Sequence, residues 1–206
     1  MELHSNKKSL NLGEVIKFPD GEEPRHVACG GAFSAVVTSA GRVYTWGMGK
    51  EGQLGYKLTA VSGVAEEPRQ VDGLGSVQIM AIACGREHTL VLSFAGEMYS
   101  WGSNKYGQLG NGTHHSSATP QQLDVSNASG GSVTFDQIAT GDHHCAALSK
   151  GGDVYTWGSG VYGQLGHGDP PKRGQVIEEP VPKLVEALRL LKCRCLLYTS
   201  PSPRDS

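Results

Sequence analysis

The sequence predicts an all-β chain that forms part of a β-propeller, with about three four-stranded blades. Two observations predict this class. The pattern Tyr-x-Trp-Gly occurs three times, and its tryptophans, Trp46, Trp101 and Trp157, are separated by 55 and 56 residues. The 29 glycines and 10 prolines are spread along all 206 residues, which is typical of chains built from short strands and tight turns.

Two further landmarks keep a fixed distance from each tryptophan. A Gln-Leu-Gly tripeptide begins seven residues after it, and a turn glycine lies sixteen residues before it. The tripeptides contribute Gln53, Gly55, Gln108, Gly110, Gln164 and Gly166, and the turn glycines are Gly30, Gly85 and Gly141. Because all the landmarks recur in one register, they mark a single structural unit that is copied three times.

Within the second copy, a period of two residues indicates strands. Strands are predicted at 77–84, 89–93 and 97–101, and a shorter, weaker fourth strand is predicted near 120–123. Tyr99 and Trp101 share one face of the third strand because alternate residues point the same way. A small sheet of this kind cannot bury both of its faces alone, so neighbouring blades must stack on it, with the large aromatic side chains between them.

The second copy also carries a family resemblance. From Ala83 to Gly112 it reads Ala-Cys-Gly-x-x-His-Thr, then Leu-x-Leu-Ser-x-x-Gly-x-x-Tyr-x-Trp-Gly-x-Asn-x-Tyr-Gly-Gln-Leu-Gly-x-Gly. This resembles the repeat of the regulator-of-chromosome-condensation family. Kelch repeats mix the same residue types at a similar period but do not require Gln-Leu-Gly after the tryptophan. The resemblance covers residues 24 to 188 and implies a seven-bladed ring, of which this chain would hold about three blades.

The repeats divide the chain. The three blade repeats are expected at 24–72, 73–124 and 125–182. Residues 1–23 form an N-terminal segment whose strand-like part, 10–18, reads either as a ring-closing outer strand or as the tail of a preceding repeat. Residues 183–194 read as the start of a fourth repeat. Residues 195–206 match what one reading frame of a sequencing adapter encodes, which predicts a non-native tail.

Composition limits the partners. The formal net charge is −2, the isoelectric point is about 6.4, and the longest basic runs are pairs, so no basic field is available to hold a phosphate backbone. The N-terminus lacks an apolar signal region, and no stretch approaches the roughly 18 apolar residues of a membrane span. We therefore expect an intracellular protein, cytoplasmic or nuclear, with protein partners, no direct nucleic-acid partner and no membrane span.

Nothing in the sequence favours catalysis. It contains neither a Gly-x-Ser-x-Gly elbow nor a phosphate-binding Gly-x-x-x-x-Gly-Lys-Ser/Thr loop, so we expect no enzyme and no cofactor. His88 and His144 each lie thirteen residues before a tryptophan, and Phe33 takes that place in the first copy. We interpret both histidines as structural and expect no metal centre. Cys29 and Cys84 occupy one repeat position and are expected to be small buried thiols.

The resemblance also implies candidate binding residues. The founding member of the family is a guanine nucleotide exchange factor for a nuclear small GTPase, and acidic and His residues of its Gly-x-x-His turns take part. In this chain the turn 141–144 is the acidic one, so Asp142, with His143 beside it, is the candidate partner-binding site. The equivalent residues Gly31 and Arg86 are not acidic.

Two functions stay open from the sequence. Many relatives attach this propeller to ubiquitin-ligase, dimerisation or kinase domains, which implies an interaction scaffold or regulatory module within a larger protein. The alternative is an exchange factor or regulator of a small GTPase. The partner would be a small GTPase or a ubiquitin-pathway protein, and specificity is expected where the copies differ, at Asp142, in the loop 56–67 and in the insertion 114–132.

Overall fold

The computed structural model describes residues 18–59, 61–127, 129–168 and 177–191. The described chain forms three four-stranded antiparallel sheets. In chain order the strands are β1 (Pro24–Cys29), β2 (Phe33–Thr38), β3 (Val43–Met48), β4 (Val64–Gln70), β5 (Ile79–Cys84), β6 (His88–Ser93), β7 (Met98–Gly102), β8 (Ser117–Leu123), β9 (Phe135–Thr140), β10 (His144–Ser149), β11 (Val154–Ser159) and β12 (Glu178–Leu184). Short 3-10 helices span Pro19–Gly21, Asp72–Leu74 and Glu186–Leu188.

Each sheet is one blade, with its strands paired in sequence order. The three blades share one register, since Trp46, Trp101 and Trp157 each pair across the sheet with the second residue of the preceding strand. The four-stranded blades that the repeat predicts are thereby confirmed. In the second blade the predicted strands agree with β5 to β7 within two residues, and β8 begins at Ser117, three residues before the predicted start.

Consecutive blades stack face to face. Strand β1 packs against β5, and β5 packs against β9, so these first strands of each blade lie together on the inner side. Between the first two blades, Val37 and Val43 meet Val91 and Trp101 in a buried cluster. A second cluster joins the next two blades, where Leu92 and other apolar residues of the second blade meet aromatic residues of the third. Burial at about 25 cal/mol per Å² of apolar surface makes these layers the main source of stability.

A repeated set of hydrogen bonds fixes one blade against the next, and we call it the blade latch. At the first junction, the indole Nε1–H of Trp101 donates to the backbone carbonyl of Gln53 at 2.9 Å, and the hydroxyl of Thr89 donates to the same oxygen at 2.8 Å. Trp101 is fully buried there. The tryptophan of one blade thus binds the Gln-Leu-Gly loop of the blade before it.

The second junction repeats the latch with one change. The indole of Trp157 donates to the carbonyl of Gln108 at 2.9 Å, and the thiol of Cys145 replaces the threonine hydroxyl, 3.4 Å from the same oxygen. The imidazole Nε2 of His88 lies 3.1 Å from that sulfur. Because the thiol of Cys145 donates its proton to the carbonyl of Gln108, its sulfur accepts a hydrogen bond from the Nε2–H of His88.

Glycine is required beside each latch. The backbone of Gly55 has φ +80° and that of Gly110 has φ +73°, a left-handed conformation that side chains disfavour. A Cβ atom added at Gly55 would lie 2.9 Å from the indole nitrogen of Trp101, and one added at Gly110 would lie 2.8 Å from that of Trp157. The glycine of Gln-Leu-Gly therefore serves both the turn and the close approach of the next tryptophan.

Two sequence-based expectations need correction. Strand β12 pairs with β11 in the third sheet, so Lys183 and Leu184, which the sequence placed at the start of a fourth repeat, belong to the third blade. Cys29 was expected to be buried, but it is exposed, because no described blade covers that face of β1. The predictions for residues 1–17 and 192–206, including the adapter-like tail, lie outside the described residues.

Candidate functional site

The turns between the first two strands of each blade gather on the inner side of the blade stack. The backbone N–H of Gly31 donates to the carbonyl of Arg86 at 3.1 Å, and the N–H of Arg86 donates to the carbonyl of Asp142 at 3.1 Å. Equivalent residues of three blades are thereby linked in one row. The structure thus places the candidate residue Asp142 at the end of a row whose other members come from the preceding blades.

The loops after the tryptophan strands lie beside these turns. The side-chain Oε1 of Gln53 accepts from the N–H of Glu51 at 3.0 Å, and the Oε1 of Gln108 accepts from the N–H of Tyr106 at 2.8 Å. In the third blade the N–H of Tyr162 donates to the Oε1 of Gln164 at 2.8 Å. Each glutamine therefore closes its own loop with its side chain, and at the first two loops its carbonyl also accepts the latch of the next blade.

Loops and turns of neighbouring blades touch. The ammonium of Lys105 lies 3.3 Å from a carboxylate oxygen of Glu51 and 4.0 Å from one of Glu87, and so it joins two blades. The ring of Tyr106 packs on that of His143 in the next blade, with centroids 4.9 Å apart. Exposed ion pairs of this type contribute under about 1 kcal/mol each, so they shape the surface more than they stabilise the fold.

These residues form one continuous surface, which we call the turn face. It consists of the turn residues Gly31, Arg86, Glu87, Asp142 and His143 and the loop residues Glu51, Lys105 and Tyr106. Within the described part of the chain, the charged ends of Arg86 and Asp142 make no ion pair, and both residues are exposed. The turn face therefore offers a partner an exposed cation and an exposed anion on neighbouring turns whose backbones are hydrogen-bonded.

The histidines of the turns differ in environment. His88 is completely buried, and burial lowers its pKa from 6.5 to about 3, assisted by the neighbouring His143 and His144. Burial also lowers the pKa of His144, while Asp142 acts in the opposite direction. Since His88 stays neutral and inaccessible to solvent, its place is in the blade junction, whereas His143 and His144 are both half-buried.

The remaining candidates for chemistry in the described ranges are metal ligands and thiols. No group of three or more His, Cys, Asp or Glu side chains there is placed to hold an ion. The thiols of Cys84 and Cys145 are shielded, and burial raises the pKa of Cys84 to about 12, so neither is an activated nucleophile. No helix in this part of the protein is long and apolar enough to cross a membrane.

Sequence reasoning missed the loop half of the turn face. Their spacing from the repeated tryptophans could have identified these residues. Lys105 and Tyr106 lie four and five residues after Trp101, and Glu51 lies five residues after Trp46. The loop 56–67 was expected to carry specificity, but its first residue lies in the core. Tyr56 is buried, and its hydroxyl donates to the carbonyl of Thr45 at 2.9 Å.

The insertion 114–132 is also partly structural. It contains β8, and the ring of His114 contacts the carboxylate of Glu178 in the next blade at 2.9 Å. An isolated bridge between Ser126 and Ser132 closes its last loop. The insertion therefore builds the second blade and joins it to the third, in addition to contributing surface.

Three stacked four-stranded blades of one repeating pattern define the class of this protein as a β-propeller of repeats, present here in part. Comparison with known proteins then identifies the family. The family models for the "Regulator of chromosome condensation (RCC1) repeat" match residues 40–92, 95–148 and 151–195, and also 25–53, 79–108 and 135–164. The chain belongs to the regulator of chromosome condensation (RCC1) repeat family.

The individual relatives that it matches are longer proteins. It is similar to the human E3 ubiquitin-protein ligase HERC2, with 36% identity over 200 residues, which cover 95% of this chain and 4% of HERC2. The crystal structure of human WBSCR16 matches with a TM-score of 0.64 and 30% identity, over 79% of this chain and 37% of that one. The yeast Prp20p structure matches with a TM-score of 0.67 and 23% identity, over 79% and 38% of the two chains, and supports the fold alone. This chain thus spans little more than a third of either solved protein.

Proposed function

We propose that this chain is a non-enzymatic protein-interaction module, a scaffold or regulatory part of a larger protein, and that it binds its partner through the turn face. RCC1-repeat propellers are in general protein-interaction modules. The proposal adds which surface of this chain binds the partner. The observation that carries it is the row Gly31, Arg86 and Asp142, whose hydrogen-bonded backbones place two exposed side chains of opposite charge on neighbouring turns.

The chemistry of the surface favours a protein as the partner. The turn face mixes acidic, basic and aromatic side chains, and the chain as a whole has a net charge of −2. A phosphate backbone would require a basic field. A folded protein or peptide of alternating charge, by contrast, complements a row in which Arg86 and Asp142 are adjacent and Tyr106 packs nearby.

The similarity to HERC2 suggests where such a module acts. It matches 4% of a ubiquitin ligase, so a ubiquitin-pathway protein, in the cytoplasm or the nucleus, is the partner that we propose first. The test compares proteins that crosslink to wild type, to Asp142→Ala combined with Arg86→Ala, and to Asp124→Ala. Asp124 is an exposed carboxylate directly after β8, away from the turn face, and serves as the matched control.

A partner that needs the turn face is lost from the double variant and retained by the Asp124→Ala control. If the same proteins crosslink equally to all three forms, the turn face is not the binding surface. Mapping the crosslinked lysines gives a second reading, since Lys105 lies on the turn face and Lys183 lies on β12.

A second candidate function is regulation of a small GTPase, and one observation favours it. Asp142 is an exposed carboxylate at the end of the linked row, with His143 beside it, in the turn that the family resemblance associates with nucleotide exchange. Prp20p, which shares the fold, was studied for its binding to Gsp1p and histones. Exchange of this kind needs no covalent chemistry, since it stabilises the nucleotide-free GTPase.

Release of a fluorescent nucleotide from a panel of small GTPases tests this second function. Acceleration by wild type that falls at least tenfold in Asp142→Ala, but not in Asp124→Ala, supports exchange. If no GTPase in the panel responds, the exchange candidate is removed and the interaction module stands on the crosslinking result alone.

A further inference from the structure

A groove lies between the first two blades, where the loop after β3 approaches strand β8. It has a volume of about 330 Å³, at the small end of the range for ligand sites, and it is open to solvent. We call it the loop groove, and it includes the start of the loop 56–67, which the sequence predicted to carry specificity. Its lining side chains are Lys50, Tyr56, Lys57 and Leu58 of the first blade and Ala118 of the second.

Contacts within the first blade hold the sides of the loop groove in place. The backbone N–H of Gly49 donates to the carbonyl of Gly63 at 2.9 Å and closes the loop. A Cβ atom added at Gly49 would lie 2.6 Å from Cδ1 of Leu58, and one added at Gly63 would lie 2.7 Å from Cγ of Lys50. The side chains of Leu58 and Lys50 therefore lie directly on the loop backbone, so the groove is formed without a partner.

At the second junction, two contacts close the equivalent space. The N–H of Gly112 donates to the carbonyl of Pro180 at 2.8 Å, and the ring of His114 contacts the carboxylate of Glu178 at 2.9 Å. Both contacts join the loop of one blade to the fourth strand of the next. They bridge the place that is open at the first junction.

Neither contact has a counterpart at the first junction within the described residues. Lys57 takes the repeat position of Gly112, and Ala118 takes that of Pro180, but no backbone hydrogen bond joins Lys57 to Ala118. The uncharged Thr59 replaces the histidine. The groove is therefore open because of the local sequence, and both of the blades that border it belong to the described chain.

Two lysines give the loop groove a positive charge. Lys50 and Lys57 are exposed, and neither makes an ion pair with another described residue. The acidic residue of the same loop, Glu51, is instead engaged by Lys105, 3.3 Å away in the next blade. The two ammonium groups are thus available to an anionic partner.

Apart from the lysines, the side chains that line the groove offer apolar surface. Leu58 packs against the buried cluster of the first blade, and Ala118 contributes a methyl group from the second. The hydroxyl of Tyr56 is used within the blade, where it donates to the carbonyl of Thr45 at 2.9 Å. An occupant therefore meets carbon surface together with two positive charges.

We infer that the loop groove binds an acidic peptide segment of a partner protein, with an apolar side chain against Leu58 and Tyr56 and carboxylates beside Lys50 and Lys57. The argument is charge complementarity together with a preformed apolar surface. A nucleic acid would need a basic field wider than two lysines, and the chain has a net charge of −2. The groove shares no residue with the turn face, so this inference and the proposed function are tested separately.

Fluorescence anisotropy tests the inference with the full chain and a labelled peptide, fluorescein-Gly-Glu-Leu-Glu-Leu-Glu-amide. Its matched control peptide has Gln in place of each Glu and keeps the length and the leucines. The groove variant is Lys50→Gln combined with Lys57→Gln. Its matched control, Lys150→Gln combined with Lys183→Gln, removes the same charge from the third blade, where both lysines are exposed.

Wild type and the control variant are expected to bind the Glu peptide equally. The groove variant is expected to bind it about tenfold more weakly, because two exposed ion pairs are lost. Wild type should lose a similar factor with the Gln peptide, and added salt should weaken binding of the Glu peptide. Far-ultraviolet circular dichroism checks that both double variants are folded, as expected for substitutions of exposed side chains.

A photoreactive leucine in the same Glu peptide locates the site by mass spectrometry. The label is expected within residues 49–63 or on β8. The inference is overturned if wild type binds neither peptide at up to about 1 mM, or if the two double variants bind the Glu peptide equally. A label on the turn face would also overturn it, and would leave the proposed function intact.

Discussion

Replacing each tryptophan by phenylalanine in turn measures the blade latch directly. Trp157→Phe removes the indole N–H that lies 2.9 Å from the carbonyl of Gln108 and leaves that carbonyl with the thiol of Cys145 at 3.4 Å. The lost hydrogen bond costs about 1 kcal/mol. Because Trp157 is completely buried, the smaller ring also leaves a cavity of about 40 Å³, which costs about 1 kcal/mol at roughly 24 cal/mol per Å³, and the lost apolar burial adds about 1 kcal/mol more.

The three positions are expected to differ in a fixed order. We expect a loss of about 3 kcal/mol in the free energy of unfolding for Trp157→Phe. Trp101→Phe should cost about 2 kcal/mol, because the hydroxyl of Thr89 still donates to the Gln53 carbonyl at 2.8 Å. Trp46→Phe should cost under about 1 kcal/mol, since that indole is partly exposed and has no acceptor in the described structure.

Urea unfolding followed by far-ultraviolet circular dichroism measures these losses. Stacked repeats do not always unfold in a single step, so the slope of each transition must match that of wild type before free energies are compared. If Trp46→Phe destabilises the protein as much as Trp157→Phe, the latch is not what holds the blades together.

Three further predictions concern the buried histidine, the latch glycine and the thiols. Buried His88 is expected to lower the free energy of unfolding by up to about 1.4 kcal/mol per pH unit as the pH falls from 6.5 to about 3, because the unfolded chain takes up a proton that the folded chain, with the pKa of His88 lowered to about 3, does not. His88→Phe should reduce the pH slope of acid unfolding by this amount and leave the contribution of His144, whose pKa burial also lowers. Gly110→Ala should destabilise the fold by about 2 kcal/mol more than Gly130→Ala, since only the former places a Cβ against an indole; equal urea midpoints would contradict this. Among the described cysteines, Cys29 is expected to react with maleimide well before Cys84, because only Cys29 is exposed, and peptide mass spectrometry measures the order.

The fold was predictable because the residues that build the blade latch are the residues that repeat. Trp101, Gln53 and Gly55 meet at one junction, and each recurs at the equivalent place in the next repeat. A residue that is required at every junction recurs in the sequence at the spacing of the repeat. Composition alone would have indicated only short strands and turns.

The candidate site was predictable only in part, for the opposite reason. Asp142 was selected as a candidate because the family resemblance implies an acidic residue in this turn, but its linkage to Arg86 passes through backbone groups that any residue has. The contact between Tyr106 and His143 joins a loop of one blade to a turn of the next, and periodicity does not show which residues meet across a junction. The end of the third repeat was predicted two residues too early because the sequence of β12, Glu-Glu-Pro-Val-Pro-Lys-Leu, lacks the alternation that marks a half-buried strand.

The residues that hold neighbouring blades together differ from the residues that form the turn face. Each glutamine of the Gln-Leu-Gly loop fixes the loop with its side chain, and in the first two blades its carbonyl also fixes the next blade. The turn and loop positions between these anchors, such as Arg86, Lys105 and Asp142, point to solvent and make weak contacts. Substitution there costs the fold little, so the turn face is free to take a different charge pattern in each blade. A partner that reads the order of charges along the row then distinguishes one blade from another, which identical repeats would not permit.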